Sequence, residues 1–217
     1  MLRARGATLS KLNSFSGLLG VVGLFSHGVE SALRAAHDAH EGQQRKGEPI
    51  AYVTHPYHVA LLLARAGADD VTIQAALLHD VVEDCDDWTE ERVGAEFGPE
   101  VANVVAELTE PQGESWEARK QGAFDLVATM SVRAVVVKAA DKLHNMRSLA
   151  LRLDAADDAA EAWRPFSRGP AQTIEHARRL VAALRARLDS VDGFDALSID
   201  LQRALEAFER HDDPEPG

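Results

Sequence analysis

The chain has 217 residues, 46% of them hydrophobic, and a formal net charge of −12. It is long enough to bury one sizeable core, and its acidity argues against non-specific binding to duplex nucleic acid or to an anionic membrane surface. A single cysteine, Cys85, excludes an intrachain disulfide and makes a reducing, cytoplasmic setting the default.

In chain order, GLLGVVGLF (17–25) is too short to span a bilayer. Residues 1–26 are expected to form a loose extension or a short docking helix. No run shows sustained alternation of period two, and helical spacing recurs instead. VESALRAAHDAHEG runs to Gly42, and a loop rich in Gly and Pro follows as far as Pro56. Pro56 suits the first turn of PYHVALLLARAG, which stops at Gly67. DDVTIQAALLHDVVED reads as one helix capped by its leading Asp residues. Thr89 and Ser115 are candidate caps for the next segments, with Gly98 between TEERVGAEF and PEVANVVAELTE. A long apolar helix, VRAVVVKAADKLHNMRSLALRLD, precedes an acidic stretch, DAADDAAEA, read as a solvated face or connection. Two amphipathic segments close the chain. The expectation is one all-α domain of roughly eight to ten packed helices over 27–192, with 193–217 as a C-terminal helix and a fraying acidic tail.

Three polar clusters interrupt apolar pattern. His79 and Asp80 are flanked by Leu77, Leu78, Val81 and Val82, with Glu83 and Asp84 one helical turn beyond them. Burying such charges without partners is costly, and a divalent cation would remove the cost. The plain alternative, a helix end emerging into solvent, suits Asp86 and Asp87 but not His79 and Asp80. Asp141 lies in the long apolar helix, sharing a face with Lys138 and Asn145. Taken alone, a buried Lys138–Asp141 ion pair explains it as well as a ligand role does. His55 precedes Pro56, which biases it towards extended backbone at a helix mouth, and His58 is a competing ligand. His144 is read as packing or facing solvent. Together His55, His79, Asp80 and Asp141 form a mixed nitrogen and oxygen set that suits Mn²⁺, Fe²⁺ or Zn²⁺ better than Ca²⁺.

His…His-Asp…Asp on helices resembles the signature of the HD-domain metal phosphohydrolases. AHEGQQRKG, YVTHP, AALLHDVVED, FGPEVANVVAELTE, WEARK and KAADKLHNMR also occur in the order seen in RelA/SpoT-type alarmone hydrolases, over roughly residues 29–190. WRPFSRG (163–169) is similar to a late passage of the stand-alone small members. Where small members often read IPYISH, this chain has IAYVTH, with Ala51 in place of a proline.

The resemblance implies an HD-domain helical bundle. It implies Mn²⁺-dependent removal of the 3′-diphosphate of ppGpp or pppGpp, giving GDP or GTP and pyrophosphate and ending the stringent response. The metal ligands would be His55, His79, Asp80 and Asp141, with Glu83 and Asp84 as the acid–base pair. Arg45 and Lys46 would correct the local charge for a polyanion. Tyr52 would pack on the nucleoside or staple the loop, and Asn145 matches the family's substrate-binding Asn. Lys138, Lys142 and Arg147 are candidates for binding phosphate or for supporting the groups that do the chemistry, as are Arg119 and Lys120 less directly. Trp116, Trp163 and Phe166 are read as core. Rival readings are the same chemistry on ppApp, NADPH or pyrophosphorylated tRNA, including an antitoxin role against a toxic alarmone synthetase, and a non-catalytic alarmone sensor. The oligomeric state stays open.

Overall fold

Helix α8 (Val132–Ala155) is the axis on which the rest of the protein packs in the computed structural model, which describes residues 26–110, 115–166 and 168–212. Ser131 starts it as an N-cap, its hydroxyl accepting the Ala134 N–H at 3.2 Å. Val135, Val137, Leu143, Leu149 and Leu153 are buried along it. Helices α2 (Thr54–Arg65), α3 (Asp70–Leu78), α6 (Pro99–Leu108), α10 (Pro170–Leu188) and α11 (Asp195–Glu209) all pack against it. Around them lie α1 (His27–Ala39), α4 (Val81–Asp84), α5 (Glu90–Phe97), α7 (Trp116–Leu126) and α9 (Ala159–Trp163). Helix α11 also packs on α10, and its Leu201, Leu205 and Phe208 join the same buried cluster as α8.

The all-α expectation holds, with eleven helices among the described residues. The expected caps form: Asp69 accepts from Thr72 N–H, Thr89 from Arg92 N–H and Ser115 from Ala118 N–H. Gly67 and Gly98 take positive φ where their helices stop. One reading is corrected. DDVTIQAALLHDVVED is not one helix but α3 and α4, separated at His79 and Asp80. The acidic stretch after α8 includes a solvated helix face, the short helix α9 with Ala159, Ala160 and Glu161 exposed. The expectations for residues 1–25 and for the end of the acidic tail, 213–217, lie outside the described residues.

The loop before α2 is folded back on itself. Gln44 and Ala51 form an isolated antiparallel bridge, and Arg45 N–H donates to Ile50 O at 2.8 Å. Gly47 turns the loop at φ +79°. Arg152 of α8 then pins it, donating through Nη1 to Lys46 O at 2.7 Å and through Nη2 to Ala162 O. This loop, the break between α3 and α4, and the middle of α8 surround one place.

Candidate metal centre and adjoining cavity

The break between α3 and α4 aims two side chains. Ala76 O, which would receive the residue-80 N–H in a continuing helix, instead accepts His79 Nδ1–H at 2.8 Å. A carbonyl can only accept, so the proton is on Nδ1 and a neutral His79 presents a lone pair at Nε2. That Nε2 is buried and makes no hydrogen bond among the described residues, although Asp80 Oδ2 lies 3.1 Å away. Asp80 has φ −100° and ψ −8°, the backbone of a turn. The Asp84 N–H still reaches Asp80 O at 2.9 Å, so the acidic pair sits one turn on, as the spacing requires.

His55 and Asp141 meet this turn from α2 and α8. His55 is not extended, as the following proline suggested. It lies in the first turn of α2 and is 1% exposed, because its burial against α8 outweighs the local pre-proline bias. His55 Nε2 is 3.3 Å from Asp141 Oδ1 and 3.6 Å from Asp80 Oδ2. One ligand atom each from His55, His79 and Asp141 falls within 4.8 Å of the others. His58, by contrast, is exposed and outside this group.

Electrostatics prepare the donors. Burial alone would raise Asp141, but Lys142, 3.3 Å from its Oδ2, and His55 more than reverse this and hold the carboxyl well below the usual carboxylate range. Asp80 is likewise lowered: burial opposes ionisation, and protons on His79 and His55, together with the Tyr52 hydrogen bond, outweigh it. Burial lowers His55, so its proton is readily given up to a cation while both carboxyls stay ionised. Ionised carboxylates and neutral imidazoles are the protonation states that a divalent cation requires. With the unpartnered His79 Nε2 among them, the donor set fits such a cation.

A layer of groups holds these donors. Tyr52 Oη donates to Asp80 Oδ2 at 2.6 Å, and burial followed by Asp80 pushes its pKa upward, so the phenol stays protonated. Asn145 Nδ2 donates to Asp141 Oδ1 at 2.5 Å, and Arg45 Nη2 donates to Asn145 Oδ1 at 2.8 Å. His55 Nδ1 meets His144 Nδ1 at 2.7 Å. His144, expected to pack or face solvent, packs directly behind His55 and lies outside the ligand group. Its position three residues after Asp141 was the available signal.

The acidic pair lies beside the centre. Glu83 is half-buried, and its Oε1 accepts the Glu110 N–H. Its pKa is raised, chiefly by burial. Asp84 is raised by burial and then by Asp80, while Tyr52 opposes. Lys138 is buried on the same side, lowered by burial and then by Lys142, with Asp141, Glu110 and Glu83 acting in the opposite sense.

A cavity of about 450 Å³ opens between the folded loop, α8 and α10, and reaches the centre through Tyr52, Lys142 and Asn145, which contact Asp80 and Asp141. Arg45, Lys46, Tyr52, Lys142, Asn145 and Arg152 line it. Phe166, read as core, forms part of its wall, with Lys46 Nζ 5.1 Å from the ring centroid. Trp163 is buried behind Phe166, as expected. Arg147 faces solvent and, like Lys138, is not in the wall. The side chains of Trp116, Arg119 and Lys120 lie outside the described residues. A cleft of about 650 Å³ also opens beside Asp84, but Asp38, Asp86, Asp87 and Glu96 line it, which suits no polyanion.

A family model for the HD domain matches residues 32–169, which include all four candidate ligands and most of the cavity wall. The chain belongs to the HD domain family. This HD domain is 42% identical over 121 residues to guanosine-3′,5′-bis(diphosphate) 3′-pyrophosphohydrolase of Haemophilus influenzae, covering 52% of this chain and 17% of that one. The protein of the same name from Vibrio cholerae is 43% identical over 127 residues, covering 55% and 18%. The chain thus spans less than a fifth of the length of these curated relatives. Among solved structures, a metazoan ortholog of SpoT described as hydrolyzing ppGpp superposes with a TM-score of 0.70 at 28% identity, covering 88% of this chain and 99% of that one. The HD domain implies dependence on a divalent metal, and the His/Asp group is where this chain can hold one. Among the described residues no helix is long and apolar enough to cross a membrane.

Proposed function

We propose that this protein hydrolyses the 3′-diphosphate of guanosine alarmones, ppGpp and pppGpp, to GDP or GTP and pyrophosphate, and so ends the stringent response. The observation that carries this reading is the meeting of His55, His79 and Asp141 donors, with Asp80 against both histidines, beside a cavity walled by Arg45, Lys46 and Lys142. The relatives named above for this reaction, and the SpoT ortholog, support it.

His55, His79, Asp80 and Asp141 would hold the cation, and Mn²⁺ suits their two nitrogens and two carboxylates. Such an ion polarises a phosphoryl oxygen and makes water more acidic. Arg45 and Lys46 hold the nucleotide's phosphates, Arg45 through a guanidinium that can fork onto oxygen. Asn145 ties Arg45 to Asp141, so substrate binding and ligand placement share one hydrogen-bonded chain. Tyr52 orients Asp80. In the reaction, water adds to the phosphorus bonded to the 3′ oxygen. One carboxylate of the Glu83–Asp84 pair takes the water's proton, the bond to the 3′ oxygen breaks, and a carboxyl proton leaves with that oxygen as the ribose hydroxyl. Their raised pKa values bring both groups closer to holding a proton at working pH.

The test is pyrophosphate release from ppGpp by the pure protein with Mn²⁺, beside ppApp and NADPH as competitors. Release is expected from ppGpp, lost with a chelator and lost in His79→Ala. A protein that binds Mn²⁺ yet releases no pyrophosphate from ppGpp would sink the proposal.

A further inference from the structure

We infer that His144 is a positioning residue for the metal centre. Backed by Ser148, it accepts the proton on His55 Nδ1 and so turns the His55 Nε2 lone pair towards the cation. This rests on the reading of His55 as a ligand.

The proton count leads there. Two imidazole nitrogens 2.7 Å apart, His55 Nδ1 and His144 Nδ1, share one proton. A neutral His55 with its Nε2 lone pair given to a cation carries its only N–H on Nδ1, so His144 Nδ1 must accept. The His144 proton is then on Nε2, facing Ser148 Oγ at 3.3 Å. A serine hydroxyl both donates and accepts, so the chain also closes in the opposite direction. In that direction Ser148 donates to His144 Nε2, His144 Nδ1–H donates to His55 Nδ1, and His55 Nε2–H faces Asp141 Oδ1 at 3.3 Å. His55 can therefore change tautomer without changing the charge of either ring and without stranding a buried polar group. His79 lacks this freedom, since Ala76 O fixes its tautomer. Ser148 lines the cavity, which carries the far end of the relay to the substrate side. His58 lies near His144, with ring centroids 4.7 Å apart and the rings tilted at 58°, but stands exposed on α2.

The test compares Mn²⁺ affinity, by calorimetry, in the parent protein, His144→Phe, His144→Asn and His79→Ala. Phe keeps the ring and loses the acceptor, whereas Asn keeps an oxygen near the place of Nδ1. His144→Phe is expected to bind Mn²⁺ roughly 10- to 100-fold more weakly, the usual range for losing a hydrogen-bond partner of a ligating His, and His144→Asn to recover most of that loss. The inference is overturned if His144→Phe binds as tightly as the parent while His79→Ala has lost the metal, or if Asn is no better than Phe. Parent affinity in His79→Ala would instead remove the metal-centre reading itself. Should the His144 variants fail to fold, ¹⁵N spectra of the parent protein loaded with Zn²⁺ decide: the His55 proton must be on Nδ1 and the His144 proton on Nε2, and the reverse overturns the inference.

Discussion

Tyr52→Phe separates two roles that one residue could play. The sequence leaves Tyr52 as a nucleoside contact or a staple of the loop, whereas the structure sends its hydroxyl to Asp80 Oδ2 at 2.6 Å and leaves its ring in the cavity wall. The substitution keeps the ring and removes only the hydrogen bond. A hydrogen bond to a charged group is worth ~1.5–3 kcal/mol, and water reaching the half-buried site offsets part of it, leaving ~1–2 kcal/mol. At about 1.4 kcal/mol per decade, that is roughly a five- to thirtyfold loss. Since the bond orients a ligand rather than the substrate, the loss belongs in kcat and in Mn²⁺ affinity, with KM for ppGpp close to the parent's. Steady-state kinetics at saturating Mn²⁺, with a separate Mn²⁺ titration, measure both. A raised KM with kcat and Mn²⁺ affinity unchanged would refute the positioning role and restore the nucleoside contact.

Two further outcomes test the frame around the site. Gly47→Ala places a Cβ 2.8 Å from Arg152 Nη1 and 2.7 Å from Pro165 Cγ, at a φ of +79°. It should cost ~1–3 kcal/mol in a denaturant titration and raise KM more than it lowers kcat, because the Arg152 clamp holds the loop bearing Arg45 and Lys46; an unchanged midpoint and KM would contradict this. Asp69 caps α3 and is gripped by Arg133 at 2.7 and 3.0 Å. Burial works against its ionisation, but the Arg133 and Thr72 hydrogen bonds prevail and lower its pKa. Its contribution is therefore complete above the unfolded-state pKa and lost as pH falls through the lower folded-state value. Asp69→Ala should cost ~1–2 kcal/mol near neutrality and flatten the acid limb of a melting-temperature profile, while an acid limb parallel to the parent's would argue against this account.

Much of this protein was legible locally. Caps such as Asp69, Thr89 and Ser115 act through bonds spanning three residues, so composition and spacing reveal them. An imidazole and carboxylates set among Leu and Val are conspicuous because burial makes them costly, and this marked His79, Asp80 and Asp141 before any contact was known. The shared face of Lys138, Asp141 and Asn145 likewise follows from helical period alone.

What the tertiary structure decided are the contacts that close long loops. His55 reaches His144 across 89 residues, Tyr52 reaches Asp80 across 28, and Arg45 reaches Asn145 across 100. No local propensity encodes such a pairing; packing of α2, α3 and the folded loop against α8 imposes it. The same packing overrides local preference at two points. His55 is helical despite the proline after it, and the helix expected through His79 and Asp80 is broken so that a side chain takes the carbonyl the backbone would have used. The residue types at the centre could be read from their cost of burial, but their aim could not, because orientation belongs to the surrounding shell and that shell comes from remote parts of the chain.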